Sequence, residues 1–250
     1  MRALIRASGG MLAVGVLTLA TACTPTPSAD PDARFALTSA HVVVPAGGAY
    51  PVNLVFVAPG ADPIWTDVTG IDLPGDADLA PGQFDVIAVE GADGMKVGNI
   101  AFELDVPPEG ISFTTVGVIY DGRREPVTSD VGTWNLSAVE ADEFSEEANA
   151  AVVAMSACTS IDVPLPPDTA SVDAFDTDST EVAVETFART PTEDALTVSF
   201  SCSDAFDFVI ISSTLDITRD DGSTHSIRLA PISIGFQDID DADFHRIRDR

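Results

Sequence analysis

Three observations predict a mostly β chain, built as two tandem antiparallel β-sandwich domains joined by a short helix after a signal peptide and tether. Apolar residues alternate with period two along most of the chain. Turn signals rich in Gly, Pro and Asp punctuate that alternation at short intervals. One stretch rich in alanine and glutamate breaks it. The organisation that follows is a signal peptide over 1–22, a tether over 23–34, a first sandwich over 35–139 and a helical connector over 140–155. A second sandwich over 156–240 and a tail over 241–250 complete it.

The signal peptide comes first. MRALIR carries two arginines and no acid, and residues 7–22 carry no charge, with Leu12, Val14, Val16, Leu17 and Leu19 at their centre. A basic start, a short apolar run and small residues before a cut site define a secretory signal. A spanning helix needs about 20 apolar residues, and this run is interrupted by Gly9, Gly10 and Gly15.

The run ends in Ala20-Thr21-Ala22-Cys23. This block resembles the lipobox of bacterial lipoproteins, with Ala20 where that family usually has leucine. The resemblance implies that Cys23 receives a diacylglyceryl group and becomes the first residue of the mature chain. Two acyl chains hold a protein firmly, because each buried CH₂ contributes about 0.8 kcal/mol. The expected location is therefore the extracytoplasmic face of the cell membrane, with the membrane as partner through the lipid. One lysine against eleven arginines, with abundant alanine, is the composition of a GC-rich genome and is similar to that of an actinobacterial protein.

Residues 24–34, TPTPSADPDAR, hold three prolines and no large apolar side chain, the composition of an extended tether. Strand patterns follow: Val52, Leu54 and Phe56; Phe84, Val86 and Ala88; Ile100, Phe102, Leu104 and Val106; Trp134, Leu136 and Ala138. In ISFTTVGVIY the apolar phase switches between Phe113 and Val116, which predicts a β-bulge near Thr114 and Thr115. Six or seven short strands in about 105 residues match an immunoglobulin-like sandwich.

Residues 140–155, EADEFSEEANAAVVAM, begin acidic and contain neither Gly nor Pro, so they predict a helix of two to four turns. Strand patterns resume at EVAVETFA, ALTVSFSC, FVIISSTLDIT and THSIRLAPISIGF, after the polar loop DVPLPPDTASVDAFDTDST. TTVGVIYDG (114–122) is echoed by TLDITRDDG (214–222), so Asp121-Gly122 and Asp221-Gly222 are expected to tip equivalent hairpins in a duplicated fold. The closing DADFHRIRDR alternates in sign and is expected to fray.

Charge bounds the partners. Cleavage at Cys23 leaves 10 basic against 40 acidic side chains, a net charge near −30. Nucleic acid is excluded, since phosphate binding needs clustered Lys and Arg. Acidic self-repulsion favours a soluble head held away from an anionic bilayer. With Cys23 lipidated, Cys158 and Cys202 remain as an even pair in an exported chain and are expected to form a disulfide. Cys202 lies in phase with Leu196, Val198 and Phe200 on the buried side of a strand. A pair of buried free thiols is the alternative.

Catalytic signals are thin. The histidines are His41, His225 and His245, and no Gly-x-Ser-x-Gly occurs. Neither a phosphate loop nor a dinucleotide fingerprint is present, so no cofactor is expected. Asp173, Asp176 and Asp178 in DAFDTDST are the calcium candidates, with a second acidic run at Asp238, Asp240, Asp241 and Asp243. Both lack the glycine of a calcium-binding EF-hand loop, so no metal site is assigned. The function expected is a non-enzymatic binding or structural role at the cell envelope, with an envelope protein or wall polymer as partner. The alternative is an envelope hydrolase using carboxylates as acid and base, although two tryptophans and two tyrosines supply few sugar-stacking platforms.

Overall fold

Alternation becomes strands throughout the computed structural model, which describes residues 30–75, 77–91, 94–144, 153–190, 194–235 and 241–250. The first half contributes β1 (Arg34–Phe35), β2 (Thr38–Pro45), β3 (Ala49–Pro59), β4 (Val68–Asp72), β5 (Phe84–Glu90), β6 (Met95–Asp105), β7 (Ile111–Tyr120) and β8 (Val127–Val139). The second half adds β9 (Val153–Met155), β10 (Ser160–Pro164), β11 (Thr169–Asp176), β12 (Val182–Arg189) and β13 (Ala195–Cys202). It continues with β14 (Phe208–Ile211), β15 (Thr214–Arg219), β16 (Thr224–Arg228), β17 (Ile232–Ile234) and helix α1 (Asp241–Arg248). The protein is mostly β, and its layers are sandwiches.

A four-stranded sheet in the order β1-β3-β6-β5 faces one end of a seven-stranded sheet in the order β4-β7-β8-β2-β14-β17-β9. Val52, Leu54 and Phe56 of β3 and Ile100 and Phe102 of β6 meet Ala40, Val42, Trp134 and Leu136 in the first core. Trp134 is fully buried and stacks on Phe113 with ring centroids 5.7 Å apart. Glycine is required at Gly98, because a Cβ there would lie 2.2 Å from the ring of Phe56.

The second core lies on the opposite face of the long sheet. Along β14 the alternation sends Ile210 into the first core and Val209 and Ile211 into the second. There they meet β10-β13-β12 and β11-β15-β16 through Leu196, Val198, Phe200, Leu215 and Ile217. Strands β14 and β15 form one arm of a long bent hairpin, and β16 and β17 form the other. The Leu229 N–H donates to the Ser213 carbonyl at 2.9 Å and carries the pairing across the bend.

Several expectations change. The strands are not all antiparallel: β2 pairs in parallel with both β8 and β14, and β17 does so with β9. The run His41-Val42-Val43-Val44 gives β2 the β-branched character of a central strand, flanked by strands from both halves. The halves therefore share a sheet instead of following one another as separate units.

The predicted connector helix is replaced at both described ends. Ala141–Glu143 is a single 3-10 turn, and Val153–Met155 is an edge strand whose pairing with β17 satisfies its backbone; residues 145–152 lie outside the described residues. The tether ends earlier than expected. Within 30–34 the Asp32 N–H donates to Asp62 at 2.6 Å, Asp30 pairs with Arg123, and β1 opens at Arg34.

The tail does not fray. In α1, Phe244 and Ile247 share one helix face and pack with Val55 and Val57 on the outer side of β3. This explains why β3 is unbroken apolar sequence from Leu54 to Ala58: that stretch is covered on both faces. The buried carboxylate of Asp207 accepts from the Leu37 N–H at 2.7 Å, from Arg246 Nε at 2.6 Å and from Arg250 at 2.6 Å, pinning the helix to the seam between the halves.

The bulge near Thr114 is present, with a register shift between Phe113 and Thr115; the extra residues lie opposite, on β8. Gly132 there has φ +86°, and a Cβ would sit 2.2 Å from the Thr38 carbonyl oxygen of β2. Asp121-Gly122 and Asp221-Gly222 both follow a strand into a hairpin turn, with glycine φ of 74° and 86°. Their surroundings differ. The β7–β8 hairpin lies between β4 and β2, whereas β15–β16 has only β11 beside it. The echoed motif thus marks similar turns in dissimilar sheets, because the base of the second hairpin is drawn into the shared sheet.

Candidate functional site

The shared sheet creates a re-entrant corner where the second core stops and the outer face of the first half's strands continues uncovered. Register aligns Ser112 of β7 with Asn135 of β8, Asn135 with His41 of β2, and His41 with Ile211 of β14. All four side chains project from one face. Ile211 is buried in the second core; His41 and Asn135 are half-buried; Ser112 is exposed. A cleft of about 370 Å³ lies over this row.

Its walls come from both halves. Glu109 and Gly110 line one side, and Asp178, Ser212 and Arg228 line the other. Ser212 is buried, donates its N–H to the His41 carbonyl at 2.8 Å and accepts the Val43 N–H at 2.9 Å on its hydroxyl. Arg228 is held between Asp178 at 3.2 Å and Glu143 at 3.5 Å. Its Nε is buried, and the Glu143 contact is an ionic approach, leaving that N–H without a hydrogen-bond partner.

The corner does not assemble a hydrolase. Glu109 and Asp178 are both exposed, and Asp178 is committed to Arg228, so neither is a buried, unpaired carboxyl. Ser212 is hydrogen-bonded to backbone instead of to a histidine. His225 is exposed on β16, 3.0 Å from Ser223, and His245 is exposed on α1.

The sulfurs of Cys158 and Cys202 are bridged, with Cα atoms 5.9 Å apart, beside the second core. The calcium candidates do not converge. Asp173 accepts from Ser171 and Thr218, Asp176 accepts the Asp178 N–H, and Asp178 pairs with Arg228. No group of three potential metal ligands forms among the described residues. Asp238 and Asp240 lie outside those residues, as does Cys23. Among the described residues no helix is long and apolar enough to cross a membrane.

Sequence reasoning missed Asn135, Arg228, Ser112 and Glu109, and treated His41 as an ordinary strand residue. The available signal was a set of polar residues at the non-core positions of three strands. Nothing local to those strands announces that the second half closes a corner above them.

No protein-family model and no curated protein matches the chain. Solved structures that match the chain include mouse clustered protocadherin PcdhgC3 EC1-3, at 12% identity and TM-score 0.21, covering 81% of this chain and 68% of that one. The N-terminal eight Ig domains of Down Syndrome Cell Adhesion Molecule match at 13% identity and TM-score 0.24, covering 81% and 24%. Titin A168169 matches at 13% identity and TM-score 0.22, covering 81% and 98%. At these scores none fixes the topology of this chain.

Proposed function

We propose that the protein is exported, lipid-anchored through Cys23 and held on the outer side of the cell membrane, where its fused sandwiches play a non-enzymatic binding or structural role. The observation that carries this reading is the Ala20-Thr21-Ala22-Cys23 block behind a basic start and an uncharged run. Two features support it. Cys158 and Cys202 occupy each other, which leaves Cys23 outside the bridge, and a disulfide suits an oxidising compartment. The exposed acidic surface also keeps a head soluble and off an anionic bilayer. The partners are the membrane, through lipid, and an envelope protein or polymer met by the head.

The test is mass spectrometry of the N-terminal peptide of the protein from its native membrane, together with Cys23→Ser. A diacylated Cys23 at the mature start, and release of the variant from the membrane fraction, are expected. An unmodified cysteine or a different start ends the reading.

A further inference from the structure

We infer that the corner over Ser112, Asn135 and His41 is a binding site for a neutral, polyhydroxylated ligand, one or two rings of a saccharide. This rests on the reading of the protein as an envelope binding module and gives it a ligand class.

The argument begins with unsatisfied capacity. His41 and Asn135 are half-buried, yet neither side chain has a hydrogen-bond partner among the described residues. Asn135 offers two donors and a carbonyl acceptor, and the His41 imidazole adds two ring nitrogens. Ser112 extends the row by a hydroxyl. These groups open on the cleft without protein partners, so a ligand that brings both donors and acceptors can replace their water and leave none unmet. Hydroxyl groups do both.

Geometry sets the size. Adjacent strands are spaced by about 4.8 Å, so the row from Ser112 to His41 spans about 10 Å, in a cleft of about 370 Å³. That is at the small end of ligand sites. The base is a β-sheet and the far wall is clamped to it by Ser212, so binding does not have to order either.

Charge and shape select the class. Arg228 is already faced by Asp178 and Glu143, and the chain carries −28 overall, so an anion meets no free cation and a repulsive field. Glu109 is a single exposed carboxylate, too well solvated to hold an amine by itself. No Phe, Trp or Tyr lines the cleft, which disfavours flat apolar ligands and leaves hydrogen bonding as the source of affinity. Such a site binds one ring weakly and is useful to a tethered head against a repeating polymer that presents many copies.

The experiment is ligand-observed saturation-transfer NMR on the full-length protein in phospholipid nanodiscs. Chitobiose and maltose serve as neutral probes, with spermidine and inorganic phosphate as charged comparators. Saturation transfer to a neutral disaccharide is expected. It should weaken at least tenfold in Asn135→Leu and in Ser112→Tyr, whose exposed position lets a ring fill the corner without touching a core. No transfer to either disaccharide, transfer to spermidine or phosphate alone, or binding unchanged in both variants overturns the site. Absent binding with Cys23 still lipidated sinks the site and leaves the envelope reading standing. Binding retained with Cys23 unmodified supports the site while removing the anchor. Cleavage of a disaccharide overturns both the site as a binding site and the non-enzymatic role.

Discussion

Both tyrosines report how single residues are held. The phenol of Tyr50 is pushed up to about 12 by burial, an effect offset in part by its hydrogen bond to Ser233 on β17. Tyr120 is raised as well, first by burial, then by the negative charge of Asp62, with Arg123 opposing. An unfolded tyrosine ionises near 10, so folding favours the neutral phenol over the phenolate. The stability this contributes is complete below about pH 10 and is lost as pH rises through the folded value, about 12 for Tyr50. Because the chain has only two tyrosines, a spectrophotometric titration is unambiguous. No tyrosinate signal is expected from the native protein near pH 10.5. In denaturant both phenols should ionise near 10. A native protein in which either tyrosine titrates near 10 would contradict this burial.

At the scale of elements, α1 is where sequence and structure part most clearly. Its side chains alternate in sign, which reads as a solvated tail, yet Phe244 and Ile247 are 5% and 0% exposed. The F-x-x-I spacing was a helical signal, but two apolar residues make a short stripe, and the surface they cover on β3 is far away in sequence. Replacing Phe244 with alanine should cost about 3–4 kcal/mol by leaving a cavity over Val55 and Val57. Hydrogen exchange is expected to accelerate first and most in α1 and along β3. Unchanged exchange in α1 and β3 would mean that the helix is not held through this contact. Elements whose pattern is local were legible: strand alternation, the bulge near Thr114, the hairpin turns at Gly122 and Gly222, and the phase of Cys202. Elements fixed by distant partners were not. One parallel partner of β2, Phe208–Ile211, arrives from the other half, and no periodicity within β2 encodes that. The candidate site shares this limit, since its base is local strand pattern and its walls are long-range.

The whole molecule follows from one junction. Phe208–Ile211 pairs with Thr38–His41, the Asp207 N–H donates to the Leu37 carbonyl while the Leu37 N–H donates to the Asp207 carboxylate, and Tyr50 reaches Ser233 across the halves. Removing the second half would expose an unpaired edge on β2 and uncover Phe208's neighbours, so neither half has a complete core alone. Folding should therefore be one cooperative event, although the length of the chain would suit two. The disulfide makes this measurable, because it sits in the second half only. Its cysteines are 44 residues apart, and in the loop-entropy model the bridge contributes about 4 kcal/mol by constraining the unfolded chain. For a chain of this size about 1 kcal/mol shifts the midpoint by roughly 2–4 °C, so reduction should lower Tm by about 10 °C. Near-ultraviolet circular dichroism follows Trp134 in the first core, and hydrogen exchange follows Leu196 and Val198 in the second. With the bridge intact both should report one midpoint, and reduction should lower both together. If reduction melts the second core while Trp134 keeps its signal to the original temperature, the halves are independent and the shared sheet does not couple them.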